Sequence, residues 1–145
     1  MDKTPLSFEK YLLLFSCELE LVIKNNCKMS KLIIDAANEK IFFMIINNNI
    51  SYNIAYENTK NNFEKMMILI NEFLKSNNMK INDISELYVN RGPGSFAGIR
   101  NSLSTVKAIH FVRKIDYYCY SLSDFKGINE LKYENIPNLC DKFKI

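Results

Sequence analysis

A glycine-rich turn between an apolar run and a helical pattern restricts the fold of this chain more than any other feature. Residues 92–100 hold three of the four glycines in the sequence. They follow the apolar run 87–89 and open a pattern with helical periodicity that extends from Phe96 to about Val112. A strand-to-helix turn of this kind presents unpaired backbone N–H groups and the positive end of a helix, which suit a phosphate or a closely packed backbone.

Bulk properties favour one folded domain with few chemical specialisations. The chain has 145 residues, of which 48% are hydrophobic, and a net charge of +3, so charge gives little support to direct nucleic acid binding. The four cysteines are widely spaced and His110 is the single histidine, which leaves no zinc pattern. We expect free thiols in a reducing cytoplasm rather than a disulfide. No apolar run approaches the roughly 20 residues that span a bilayer.

Five segments predict strands of one mixed sheet. Residues 31–35 form an apolar run that ends on Asp35, residues 40–46 are apolar on both faces, and residues 50–57 alternate with period two. The asparagines 47–49 suit the turn of a hairpin, so the three segments predict an antiparallel meander. Residues 86–90 and 117–120 are the fourth and fifth strands.

Two helices carry more apolar surface than one sheet needs. The first is predicted over residues 62–76, and its apolar face is so broad that a second cover is expected. In the second helix, side chains at spacings of three and four are expected to face the sheet: Phe96, Ile99, Leu103, Val106 and His110. Beside them Gly98, Ser102 and Thr105 form a ribbon of small residues that favours close approach of another helix.

The ends of the chain are harder to interpret. Residues 1–29 fit either a helix or two short strands, and translation starting at Met29 is an open alternative. Near the other end, Ser121 and Asp124 have the spacing of a capping box, which predicts a short helix that stops near Gly127. Residues 126–145 are predicted to be a weakly structured tail.

The glycine turn fits neither standard phosphate motif. No Lys-Ser or Lys-Thr pair follows Gly98, and the third glycine of the dinucleotide fingerprint is one position late. Ser95 and Ser102 lack a nearby base, because His110 lies two helical turns beyond Ser102. Asp35 is the one carboxylate at a strand end, and a bracing role is favoured over a catalytic one.

The segment of residues 88–107 resembles the signature of the TsaB (YeaZ) family, which reads roughly G-P-G-S-F-T-G-L-R-I-G-L-A-T-A-K. Ala97 replaces the threonine of that pattern, and Ser102 replaces its second small glycine. A weaker similarity extends from Lys31, where residues 33–37 stand for the family's I-D-T-S, to Phe125.

The resemblance implies a single lobe of the actin/hexokinase-like (ASKHA) fold, comprising residues 30–125, and a cytoplasmic protein without catalytic or metal-binding residues. It implies a scaffold subunit that binds TsaD, the enzyme that transfers threonylcarbamoyl to an adenosine beside the tRNA anticodon. TsaE and ATP would join only in the larger complex, and tRNA contact would be indirect. The implied interface residues are Phe63, Met66, Met67, Ile70, Gly98, Arg100, Ser102 and Thr105. Gly92, Pro93, Gly94 and Ser95 form the structural turn, and Asp35 is a weak candidate for cofactor binding.

The sequence departs from the family in two respects. Family members usually continue into a second lobe, whereas this sequence ends shortly after the first, and Ala36 and Ala37 replace hydroxyl residues of the family pattern. Two alternatives therefore stay open. One is a small ATPase or peptidase-like enzyme that uses Asp35, and the other is a degenerate homodimer that pairs through its two helices.

Overall fold

The structure, a computed structural model, describes residues 30–125 and 132–143, so the predictions for residues 1–29 lie outside the described residues. Within these described ranges there are five strands: β1 Ser30–Asp35, β2 Lys40–Asn47, β3 Ile50–Glu57, β4 Ile84–Asn90 and β5 Asp116–Tyr120. The same ranges contain four α-helices: α1 Lys60–Glu64, α2 Met66–Ser76, α3 Phe96–Arg113 and α4 Ile136–Phe143. Short 3-10 turns cover Ile81–Asp83, Leu122–Phe125 and Tyr133–Asn135.

The strands form one mixed sheet in the order β3-β2-β1-β4-β5. The pairs β1–β2 and β2–β3 are antiparallel, whereas β4 runs parallel to both β1 and β5. Asn48 adopts a positive φ of 56° in the turn between β2 and β3, as the run of asparagines predicts. The predicted α/β fold, a five-stranded mixed sheet with an antiparallel meander and two main helices, is confirmed.

Both faces of the sheet are covered because β1 is apolar on both sides. Leu32 and Ile34 pack with the helices α1 to α3, while Ile33 packs on the opposite face. That opposite face is covered by the C-terminal segment, where Ile136 and Cys140 are buried. The prediction of a weakly structured tail is therefore wrong for residues 132–143, which supply the second cover that a doubly apolar strand needs.

The first predicted helix is divided in two. Thr59 begins α1 two residues early, since its hydroxyl oxygen accepts a hydrogen bond from the Asn62 amide at 3.2 Å. Lys65 then leaves the helical region with φ −111°, and α2 begins at Met66. Phe63 before the break and Met66 after it are both buried in the core. The two short helices therefore contribute side chains to the same apolar cluster.

The predicted sheet-facing side of α3 is correct only in part. Val106 is buried and Leu103 packs against the core, as predicted. Phe96, however, is 80% exposed, and the buried positions are Gly98, Ser102, Val106 and Ile109. The physical reason is the contact at Gly98, where an added Cβ would overlap the carbonyl oxygen of Ala36. The small residues thus let α3 approach the end of β1 in the same chain, and packing of this ribbon is internal.

Candidate docking surface and the Asp35 pocket

The glycine turn is held by hydrogen bonds to its own protein. Gly92 has a φ of +109°, and a Cβ at Gly94 would overlap the carbonyl oxygen of Ala37. Four backbone N–H groups of the turn and the helix start already have acceptors: Arg91 donates to the Tyr120 carbonyl, Gly92 to Asn90 Oδ1, Ser95 to the Ala37 carbonyl and Gly98 to Ser95 Oγ. The turn therefore joins β4 and α3 to the β1–β2 connection, and these donors are not free for a phosphate.

An ion pair fixes the same turn to the end of β5. Arg91 Nη2 lies 2.8 and 2.7 Å from the two carboxylate oxygens of Asp124. The Asp124 carboxylate also accepts a hydrogen bond from the backbone amide of Ser121 at 2.8 Å. This is one of the two hydrogen bonds of the predicted capping box, and it is confirmed. The predicted helix is a single 3-10 turn, Leu122–Phe125.

Asp35 lies buried at the end of β1, beside an open pocket of about 700 Å³. Its carboxylate accepts hydrogen bonds from the Ala37 amide at 3.1 Å, from Asn38 Nδ2 at 3.2 Å and from the Tyr133 hydroxyl at 2.8 Å. Tyr133 also stacks on Phe42, with ring centroids 4.3 Å apart. These contacts are those of a bracing carboxylate, and they attach the C-terminal segment to the sheet.

The phenols near Asp35 predict a loss of stability at alkaline pH. Burial and the Asp35 charge raise the pKa of both Tyr120 and Tyr133. The folded state thus keeps these protons while the unfolded chain releases them near pH 10. The free energy of unfolding should be unaffected below that pH and should fall as the pH rises above it. Urea titrations between about pH 8 and pH 11 measure this, and Tyr133→Phe should reduce the alkaline loss; an unchanged stability at the upper limit would contradict the assignment.

The other polar candidates bond within the chain. His110 Nδ1 lies 2.7 Å from the Ile115 carbonyl oxygen, and Ser102 Oγ donates to the Ile99 carbonyl at 3.0 Å. Within residues 30–125 and 132–143 no group of three or more His, Cys, Asp or Glu side chains is suitable for a metal ion. In the same ranges no helix has the length and apolar character of a membrane span.

An exposed apolar surface lies where α2 and α3 meet. A groove of about 280 Å³ separates Met67 on α2 from Ala108 and Val112 on α3, and Ile81 and Ile109 form its floor. Large apolar side chains are exposed on the two helices: Ile68 is 56%, Val112 68% and Phe111 75% exposed. Met67, Ala108 and Val112 line the groove, whereas Ile68 and Phe111 are their exposed neighbours in the sequence. We call these five residues the α2–α3 surface. Exposed apolar area of this kind is typical of an interaction site.

The predicted interface residues separate into two groups. Phe63, Met66, Ile70, Gly98 and Ser102 are buried within the chain, so their side chains do not form its surface. Among the rest, Met67 lines the groove, Arg100 is exposed, and Thr105 is half-buried with its hydroxyl bonded to the Asn101 carbonyl. The interface residues predicted from the sequence do not include Ile68, Phe111 or Val112, which are exposed. The adjacent pair Phe111-Val112, outside the periodic apolar stripe of α3, is the signal that could have identified this end of the helix.

Comparison with known proteins agrees with this fold. The family model for TsaD, tRNA N6-adenosine threonylcarbamoyltransferase, matches residues 46–128. The tRNA threonylcarbamoyladenosine biosynthesis protein TsaB of Buchnera aphidicola subsp. Baizongia pistaciae (strain Bp) is 34% identical over 65 residues, which are 45% of this chain and 29% of that protein.

Two solved structures share the fold. YeaZ from Pseudomonas aeruginosa superposes with a TM-score of 0.58 at 15% identity, covering 63% of this chain and 43% of that one. A second structure, described as similar to peptidase YeaZ from the same organism, has a TM-score of 0.59 with the same identity and coverage. The chain therefore belongs to the TsaD-type family that the model describes, and the relatives to which it is similar are TsaB and YeaZ proteins. It spans less than half the length of these relatives.

Proposed function

We propose that this chain serves in the synthesis of threonylcarbamoyladenosine in tRNA, as a non-catalytic subunit that binds a TsaD-type enzyme. The observation that carries the proposal is the α2–α3 surface, where Phe111 and Val112 are more than two-thirds exposed in a TsaB/YeaZ protein. Burying these side chains against another protein would remove apolar area from water, at about 25 cal/mol per Å². Their exposure favours a partner at this surface.

The contacts around Asp35 favour a scaffold over an enzyme. Asp35 already accepts three different donors, and the turn N–H groups that suit a phosphate are bonded within the chain. In the proposed assembly the TsaD-type subunit carries out the transfer. ATP and a TsaE-like ATPase act at the level of the complex, and tRNA contacts this chain only indirectly.

A reconstituted transfer assay tests the proposal. The TsaD-type protein of the same genome is incubated with threonylcarbamoyl adenylate and unmodified tRNA, with and without this chain. Mass spectrometry of the digested tRNA then measures the modified nucleoside. We expect the chain to raise the initial rate at which the modified nucleoside forms by about tenfold or more, which corresponds to about 1.4 kcal/mol in the activation free energy. Equal initial rates without the chain would contradict the proposal.

The enzyme alternative makes a separate prediction. If the chain were a small ATPase that uses Asp35, the purified protein alone would hydrolyse ATP, and Asp35→Asn would abolish the turnover. The scaffold proposal expects no turnover above a blank from the chain alone. Steady hydrolysis that depends on Asp35 would favour the enzyme.

A further inference from the structure

We infer that the α2–α3 surface binds a region of the partner that is apolar at its centre and rimmed by carboxylates at one end. The inference rests on the proposed function, since it describes the chemistry of the TsaD-type surface. The evidence for the carboxylates is the positive charge at one end of the groove, where α2 and α3 have their C-termini. Four cationic side chains, from Lys75, Lys80, Arg113 and Lys114, line the depressions that adjoin this end.

These depressions form one continuous surface. The groove shares Asn71 and Ile81 with the depression that Lys75 and Lys80 line, and it shares Arg113 with the depression that Lys114 lines. The cations therefore lie on both sides of the apolar floor. A partner seated on Val112 would reach this rim.

Few carboxylates of the chain itself neutralise the rim, by which we mean the four cations Lys75, Lys80, Arg113 and Lys114. Ion pairs among the described residues use other cations, namely Lys31, Lys40, Lys60 and Arg91. Among the residues that line the groove and the two depressions there is one carboxylate, that of Asp83. It accepts a hydrogen bond from the backbone amide of Lys80 at 2.9 Å. Helix α3 has no acidic residue along its 18 positions. The four exposed cations thus give this end of the surface an excess of positive charge.

The apolar floor favours protein over RNA as the occupant. Phosphates would meet the cations, but they would leave Met67, Ile109 and Val112 facing polar groups, so no apolar burial would be gained. Within the α2–α3 surface a base could stack on Phe111, but the Nζ atom of Lys114 already lies 5.3 Å from the centroid of that ring. A partner surface that is apolar at its centre and has carboxylates at its rim would bury the apolar floor and pair with the cations at the same time.

Charge reversal with a matched control tests the rim. The variant Lys80→Glu/Arg113→Glu is compared with Lys40→Glu/Lys132→Glu, which has the same change in net charge. Lys132 lies in the segment over the opposite face of the sheet. The control also breaks the exposed ion pair between Lys40 and Glu57, which should change the stability by less than about 1 kcal/mol. Affinity for the TsaD-type protein is measured by calorimetry at about 50 mM and about 500 mM salt. We expect the rim variant to lose about tenfold or more in affinity at low salt and to approach wild type at high salt, while the control changes by less than about twofold.

The outcomes separate this inference from the proposed function. Equal binding by the rim variant and the control, with wild-type binding intact, would overturn the carboxylate rim and leave the scaffold role standing. No binding by wild type would contradict the scaffold role itself. A rim variant that keeps its affinity for the TsaD-type protein but loses salt-sensitive binding to tRNA would overturn the inference in favour of an RNA surface. Circular dichroism of both variants checks the fold, which we expect to be unchanged because the four substituted residues are exposed.

Discussion

Gly98→Ala is expected to destabilise the protein by on the order of 2–4 kcal/mol. The same substitution at an exposed position inside a helix would stabilise it by about 1 kcal/mol, because alanine has the higher helix propensity. The sign reverses here because the new methyl group would overlap the carbonyl oxygen of Ala36. That oxygen belongs to the backbone, so relief requires α3 to move away from the end of β1. The shift would also disturb the hydrogen bond from the Ser95 amide to Ala37.

Equilibrium urea unfolding of the intact chain measures the effect. Ser104→Ala, at an exposed position on the same helix, is the matched control and should change the stability by less than about 0.5 kcal/mol. A Gly98→Ala protein as stable as wild type would show that α3 does not approach the strand as closely as the structure has it. Because Gly98 is buried, its variants report on folding and not on docking.

Val112→Glu is expected to weaken binding of the TsaD-type protein by about 30-fold or more, which corresponds to about 2 kcal/mol. A carboxylate at this position would be desolvated against the apolar centre of the partner and would repel the carboxylates proposed at its rim, and both effects cost free energy. The fold should tolerate the change, since Val112 is 68% exposed in the chain alone. Calorimetric titration of the purified variant with the TsaD-type protein measures the loss.

Ile50→Glu is the matched control for this substitution. Ile50 is 57% exposed and lies on β3, at the edge of the sheet away from α3. It should keep wild-type affinity and similar solubility. Equal losses in the two variants would contradict the placement of the interface. Sedimentation of the wild-type chain tests the homodimer alternative. A tight dimer that Val112→Glu breaks, together with no binding of the TsaD-type protein, would mean that the α2–α3 surface pairs with a second copy of the chain.

The order of strands and helices could be predicted because the apolar patterns are strong. Residues 31–35 and 40–46 are apolar enough to be read as buried strands, and the glycine turn marks the start of α3. The buried side of α3 could not be predicted from hydrophobicity. Its position is set by backbone contact at Gly98, and a glycine adds nothing to an apolar periodicity.

The sequence predicts surplus apolar area on the two helices, but not which side chains form it. The breadth of the apolar face on the first helix indicates that a second cover is needed, but it does not indicate which side chains are buried in the chain's own core. Met66 and Ile70 are buried there, whereas Ile68 stays exposed and Met67 is half-buried. The contact between Asp35 and Tyr133 joins residues 98 positions apart. No local pattern predicts a pairing across that separation.

Hydrogen exchange of the intact chain, alone and with the TsaD-type protein of the same genome, measures whether and where the partner binds. We predict association and slower amide exchange in α2 and in the C-terminal half of α3, with unchanged exchange in β3. Protection confined to β3 or to the residues around the Asp35 pocket would contradict the α2–α3 surface as the docking site. Absence of any association at micromolar concentrations, a weak limit of about −8 kcal/mol, would contradict the scaffold role itself.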